Sequence, residues 1–218
     1  MIQTDNMLLT LAENCGFSLE EPQRVHSLKA MGLRFSIRAY QAPNLGHVSV
    51  MEAKGFFGLM KMDTIIITPT AVDMPLLSYD RVLAMGNDTL MYELYDTFID
   101  HADLSGLDAV KKSAAYLPDH AMEKHWYESI KLPVSFAKKG KKSHSSAFDT
   151  TATHYLVQYL AAAKQAPACD AAQKREKAST YVEGLLTNGG PCTDVFKKSI
   201  GEEKTAEVFR KVLFGTQI

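Results

Sequence analysis

Asp80 closes the segment Pro69–Asp80, PTAVDMPLLSYD, which follows the apolar run Ile65, Ile66, Ile67. The pattern reads as a strand that enters a Pro-bounded turn, then Leu76 and Leu77, then a carboxylate at a strand's edge. A carboxylate held against apolar surface has its pKa raised, because burial disfavours the charged form. Such a group donates a proton near neutral pH. The competing reading is an Asp that simply caps a turn or helix.

Other chemistries find little support. Cys15, Cys169 and Cys192 are scattered and odd in number, with no CxxC, which argues against a disulfide framework, a structural zinc site or an iron–sulfur cluster. GxGxxG, GxxxxGK[ST] and GxSxG are all missing, so nucleotide loops and a hydrolase elbow are not expected. His120 and His125 are five residues apart, the wrong spacing for two ligands on one helical face, and no HExxH occurs. No metal is expected. His154 with Tyr155 could line a pocket, but the stripe Tyr155, Tyr159, Ala162 is more often core packing, and Trp126 with Tyr127 is similarly two-sided.

The elements that must position Asp80 follow from periodicity. The opening segment is helical, with Met7, Leu8, Leu11 and Ala12 on one face and Gly16 as a stop. Residues 19–31 read as a second helix, with Val25, Leu28 and Met31 on one stripe. The middle then alternates. Strands are expected over Leu33–Tyr40, His47–Ala53, Met62–Thr68, Asp80–Met85 and Leu90–Phe98, joined by short Gly-containing turns that favour antiparallel neighbours. Five or six strands are expected. Helices return after Ser105, over Ala109–Tyr116, His120–Ser129, Thr150–Ala163, Asp170–Leu186 and Thr193–Phe214, the last broken near Gly201. Helices on both sides of a strand block imply a three-layer α/β/α sandwich around a central antiparallel sheet, in one domain over residues 1–218. With 218 residues, 46% apolar and 22% charged, the composition is that of a globular chain with one large core. No signal peptide and no membrane-length apolar run is visible, so a soluble, cytoplasmic protein with no membrane partner is expected.

Three blocks carry a family resemblance. They are VSVMEAK (Val48–Lys54), TIIITPTAVDMPLLSYD (Thr64–Asp80) and YVEGLLTNGGPCTDVFKKSIGEEKTAEVFRKVLFG (Tyr181–Gly215). In this order and at this spacing, over about a third of the chain, they resemble the ferredoxin-dependent bilin reductases and the related red chlorophyll catabolite reductase. The resemblance implies an α/β/α sandwich that reduces an open-chain tetrapyrrole such as biliverdin. It implies no bound cofactor: reduced ferredoxin delivers electrons singly and side chains supply protons.

Residue by residue, Asp80 matches the family's catalytic aspartate. Glu52 is the best match for its glutamate, which protonates or hydrogen-bonds a terminal pyrrole ring; the other reading is an exposed strand residue. Where several members carry a His, this chain has Asp63 or Thr64, and alternation lets only one face the pocket. Asn188 either hydrogen-bonds the substrate or closes a helix, and Gly189 stands where members often have an acid. On a chain of net charge −1, Lys138, Lys139, Lys141 and Lys142 form a basic cluster that would steer an acidic carrier such as ferredoxin. The same cluster reads alternatively as a solvated loop or a partner for bilin propionates. It lacks the interleaved aromatics of a nucleic-acid site. The alternative function is a tetrapyrrole carrier on the same fold that reduces nothing.

Overall fold

Short turns leave successive strands no choice but antiparallel pairing. In the computed structural model, which describes residues 4–20, 24–121 and 124–217, seven strands pair in chain order. They are β1 (Arg24–Ala30), β2 (Leu33–Ala42), β3 (Gly46–Gly55), β4 (Met60–Pro69), β5 (Leu76–Ala84), β6 (Asn87–Tyr95) and β7 (Phe136–Lys141). Every neighbouring pair is antiparallel. A simple meander puts the β1–β2, β3–β4 and β5–β6 turns at one end of the sheet.

Alternation divides each strand between two cores. On one face Val48, Val50, Ile65, Ile67, Leu77 and Tyr92 pack against α1 (Thr4–Asn14), α2 (Ser105–Ser113) and α3 (Ser145–Gln165). The α3 stripe Phe148, Ala152, Tyr155, Tyr159 recurs at helical spacing and is fully buried. Each such aromatic contributes on the order of 2 kcal/mol of apolar burial. Their hydroxyls are satisfied by carbonyls: Tyr155 donates to Val134 at 3.1 Å and Tyr159 to Pro75 at 2.7 Å.

On the other face Phe35, Ile37, Met51, Ile66, Leu76 and Tyr95 pack against α4 (Ala171–Asn188), α5 (Pro191–Ile200), α6 (Glu202–Glu207) and the π-helical turn Val208–Leu213 that continues α6. That turn is tied to β3 by two buried side chains. His47 Nε2 donates to the Val212 carbonyl at 2.8 Å and Ser49 Oγ to the Leu213 carbonyl at 2.7 Å. The result is the three-layer α/β/α sandwich.

A buried ion pair fixes α4 to the sheet. Lys174 Nζ lies 2.8 Å from Asp73 Oδ1, with side chains 0% and 3% exposed. Lys174 also donates to the Thr97 carbonyl at 2.6 Å, while Asp73 accepts from the Ile99 and Asp100 amides at 2.9 and 2.8 Å. Burial opposes the charge on Asp73, but these bonds hold its carboxyl below the usual range. Burial pushes the Lys174 ammonium down.

Four sequence expectations change. Residues 24–30 of the expected second helix are strand β1, and Met31 sits exposed in the turn that follows; residues 21–23 lie outside the described residues. His120–Ser129 is no helix: its described part contains only a short 3-10 turn at Trp126–Ile130, and residues 122–123 are outside the description. Strand β7 arises where no strand was expected, since FAKKGK lacks an apolar alternation. Lys138 on β7 is also no docking residue. It is 5% exposed, donates to the Leu117 carbonyl at 3.0 Å and pairs with Asp119 at 2.6 Å, because its stem fills the core beside Leu90. Lys139, Lys141 and Lys142 remain exposed.

Candidate active site

The register decides which residues meet Asp80. Asp80 on β5 lies opposite Thr64 on β4 and Met91 on β6, and Thr64 lies opposite Met51 on β3. Directly registered partners share a face, so Thr64 faces the helices α4–α6 together with Asp80. Asp63 does not. It pairs with Glu52 on β3 and Arg81 on β5, and all three project from the opposite side of the sheet.

Between the sheet and the C-terminal helices lies a cavity of about 240 Å³. Thr64, Ser78, Asp80 and Glu93 give it a polar floor; Tyr95, Tyr127, Tyr181 and Phe214 give it an aromatic wall. Tyr95 stacks on Tyr181 with ring centroids 4.3 Å apart, and Tyr127 meets Tyr95 edge-on at 5.5 Å. Trp126 backs this wall. Its indole donates to the Gly189 carbonyl at 3.0 Å and covers Gly184, where an added Cβ would stand 2.2 Å from the ring. Gly184 is therefore required by the close approach of helix and indole.

The Asp80 carboxyl on this floor has its pKa pushed up to about 6. Burial is the main cause, and the Glu93 carboxylate nearby adds to it. Two hydroxyls oppose the rise: Thr64 Oγ1 donates to Oδ1 at 2.5 Å and Ser78 Oγ to Oδ2 at 3.3 Å. Glu93 is held by the Tyr95 hydroxyl at 2.8 Å and by Lys131 at 3.3 Å. Two carboxyls in one cavity thus differ in role, one poised to be protonated and one paired with a cation. Burial, with Asp80 nearby, also pushes the Cys192 thiol up to about 12, so it is no nucleophile at neutral pH.

Of the residues expected at the site, Asp80 and Thr64 come together and the others do not. Glu52 is on the far face, 16% exposed, with its carboxylate 3.8 Å from the Lys54 ammonium. The family's glutamate is therefore not supplied by Glu52, whose side chain points away from the cavity. Asp63 is buried beside it on that far face. Asn188 is exposed at the last turn of α4, and Gly189 follows at φ 83°, so the helix-end reading holds. Glu93, Ser78, Tyr95 and Tyr181 were not singled out from the sequence, whereas Tyr127, read there as pocket lining or core, does line the cavity. Glu93 carried a usable signal: it stands opposite Ser78, two residues from Asp80 on the same face.

In sequence, no family model matches the chain and no curated protein matches it. In three dimensions, a crystal structure of phytochromobilin synthase from tomato in complex with biliverdin matches with a TM-score of 0.80. The match covers 98% of this chain and 82% of that one, at 15% identity. The fold is that of phytochromobilin synthase. The sandwich expected from the three sequence blocks is therefore the one found, and the likeness to phytochromobilin synthase extends along nearly the whole chain.

Proposed function

We propose that this protein binds an open-chain tetrapyrrole in the cavity between sheet and C-terminal helices and reduces it with electrons from reduced ferredoxin. One observation carries the reading: an aromatic-walled cavity whose floor presents the buried Asp80 carboxyl with a raised pKa, on a fold that in tomato phytochromobilin synthase accompanies biliverdin. Planar conjugated rings stack favourably on aromatic side chains. The reduction of each double bond takes two electrons and two protons. Protonating the pigment before the electron arrives makes electron addition easier, because the added charge is neutralised in advance. Asp80 gives the first proton in this scheme and the second comes from solvent; Thr64 and Ser78 aim its two oxygens and remain partners of the carboxylate once the proton has left. Tyr95, Tyr127 and Tyr181 hold the rings and exclude water.

At about 240 Å³ the cavity is smaller than the roughly 300–1,000 Å³ of ordinary ligand sites. The occupant therefore widens it. The roof can give more readily than the floor, since it is a set of short helices joined at Gly189-Gly190 and Gly201, whereas the floor is a hydrogen-bonded sheet.

The test is an anaerobic absorbance time course with biliverdin, before and after reduced ferredoxin is added. Ferredoxin-dependent loss of the biliverdin band with a new pigment supports the reading; a stable complex that ignores ferredoxin makes the protein a carrier. Two further outcomes are expected. Turnover should be level below about pH 6 and fall roughly tenfold per unit above it, as Asp80 loses its proton. Glu52→Gln, on the other face, should change turnover by less than about twofold in the same assay, as surface substitutions away from a site do.

A further inference from the structure

The strand register lines up four basic residues across one end of the sheet. Lys29 lies opposite Arg34, Arg34 opposite Lys54, and Lys54 opposite Lys61. Registered partners share a face, so all four project from the side away from the Asp80 cavity. Like charges directly opposite one another destabilise an antiparallel pair, and here three such pairs adjoin. Lys141 and Lys142 stand exposed at the same end, where β7 finishes beside the β5–β6 turn. Glu52 is the one acidic side chain lining the open depression of about 770 Å³ that Lys29, Arg34 and Lys54 share with Phe56 and Phe57.

Just beyond the row, the three turns at this end carry apolar tips. Met31, Phe56, Phe57, Leu59 and Met85 are 63%, 54%, 110%, 70% and 91% exposed. Four of them also adopt left-handed backbone, with φ 49° at Met31, 51° at Phe56, 55° at Phe57 and 50° at Met85. Asn, Asp or Gly are the residues that fit such turns without strain. Apolar side chains in water, on backbone that disfavours them, beside a row of four like charges against the one carboxylate of Glu52, break three local rules in one place.

We propose that this end of the sheet docks on an anionic phospholipid surface. Phe56, Phe57, Leu59, Met31 and Met85 enter the boundary between headgroups and acyl chains, and Lys29, Arg34, Lys54 and Lys61 pair with lipid phosphates. The form of the patch favours a lipid surface over a folded partner. The apolar groups stand on three separate turn tips, and a folded protein would need a fitted pocket for each, whereas the headgroup region admits them one by one. This is attachment to a surface, not a span: no described helix is long and apolar enough to cross a membrane. Because the patch is on the other side of the sheet from the Asp80 cavity, it does not depend on the pigment reading.

The test is co-sedimentation of the full chain with vesicles of phosphatidylcholine alone and with about one-third phosphatidylglycerol. The chain should sediment at least about tenfold better with the anionic vesicles and be released by about 0.5 M salt, which shortens the screening length to a few ångströms. Phe57→Asn and Arg34→Glu should each lower the bound fraction about tenfold. Phe57→Asn suits the local φ of 55° and removes a side chain that is fully exposed, so loss of binding there is not loss of fold. No sedimentation with anionic vesicles overturns the proposal, as does binding that both variants retain. Failure on vesicles together with a variant-sensitive complex with reduced ferredoxin, used as an acidic protein probe, overturns it in favour of a protein dock.

Discussion

An Asp80→Asn protein should hold biliverdin with little change in affinity and reduce it about 10²- to 10⁴-fold more slowly, the usual worth of a positioned proton donor. The amide keeps the shape and can still meet the Thr64 and Ser78 hydroxyls, but it has no proton to give. Absorbance titration separates binding from turnover in a single sample. Full turnover in this variant would remove Asp80 from the mechanism. The same substitution also has a stability signature of known sign. The folded-state pKa of about 6 is above the unfolded value near 3.8, so the stabilisation present at acid pH is lost as pH rises through about 6. Asp80→Asn should therefore melt higher than the parent at pH 8 and show no such advantage at pH 4. The expected gain is on the order of 2 kcal/mol, allowing for water in the cavity.

Lys174→Met should be the most damaging single change to the fold. It leaves the Asp73 carboxylate buried with two amides and no cation. Breaking a buried pair from one side costs about 3–5 kcal/mol. For a chain of this size that is a fall in Tm of roughly 6–20 °C. The double variant Asp73→Leu with Lys174→Met should recover most of the loss, since it removes both charges. A double variant as unstable as Lys174→Met alone would show that the pair matters through its bonds to Thr97, Ile99 and Asp100 rather than through charge. In the parent, the contribution of Asp73, whose pKa is lowered on folding, is present above the ordinary carboxylate range and disappears as pH falls through it.

Much of the sheet was legible because β2 and β3 alternate, β4 is an apolar run, and three of the four links between β2 and β6 carry glycine. β1 was not: Val25, Leu28 and Met31 are three apart, a spacing that fits a helical stripe as well as it fits nothing in particular. β7 was hidden by its lysines. Edge strands tolerate charge, and Lys138 escapes the cost of burial through Asp119 and the Leu117 carbonyl, both distant in sequence. The site was legible in part for the same reason. Alternation allowed one of Asp63 and Thr64 to face the cavity, but which one depends on pairing across two turns of unknown register. The β4–β5 pairing joins Thr64 to Asp80, and the β3–β4 pairing sends Glu52 with Asp63 to the other side. Of the aromatic wall only Tyr127 was read as possible lining, because Tyr95, Tyr127 and Tyr181 come from a strand, a 3-10 turn and a helix, and meet only in the folded chain.

The order of elements along the chain has a consequence for how the protein is made. All seven strands and the helices of one layer, α1 to α3, precede the helices that roof the cavity. During synthesis the first layer can close while Met51, Ile66, Leu76 and Tyr95 still face water on the other side of the sheet. An uncovered apolar sheet face is the sticky stage of folding for chains of this length. A flat pigment that met the nascent chain at that stage would find the floor and its carboxyl fully open, and the roof would then fold down over it.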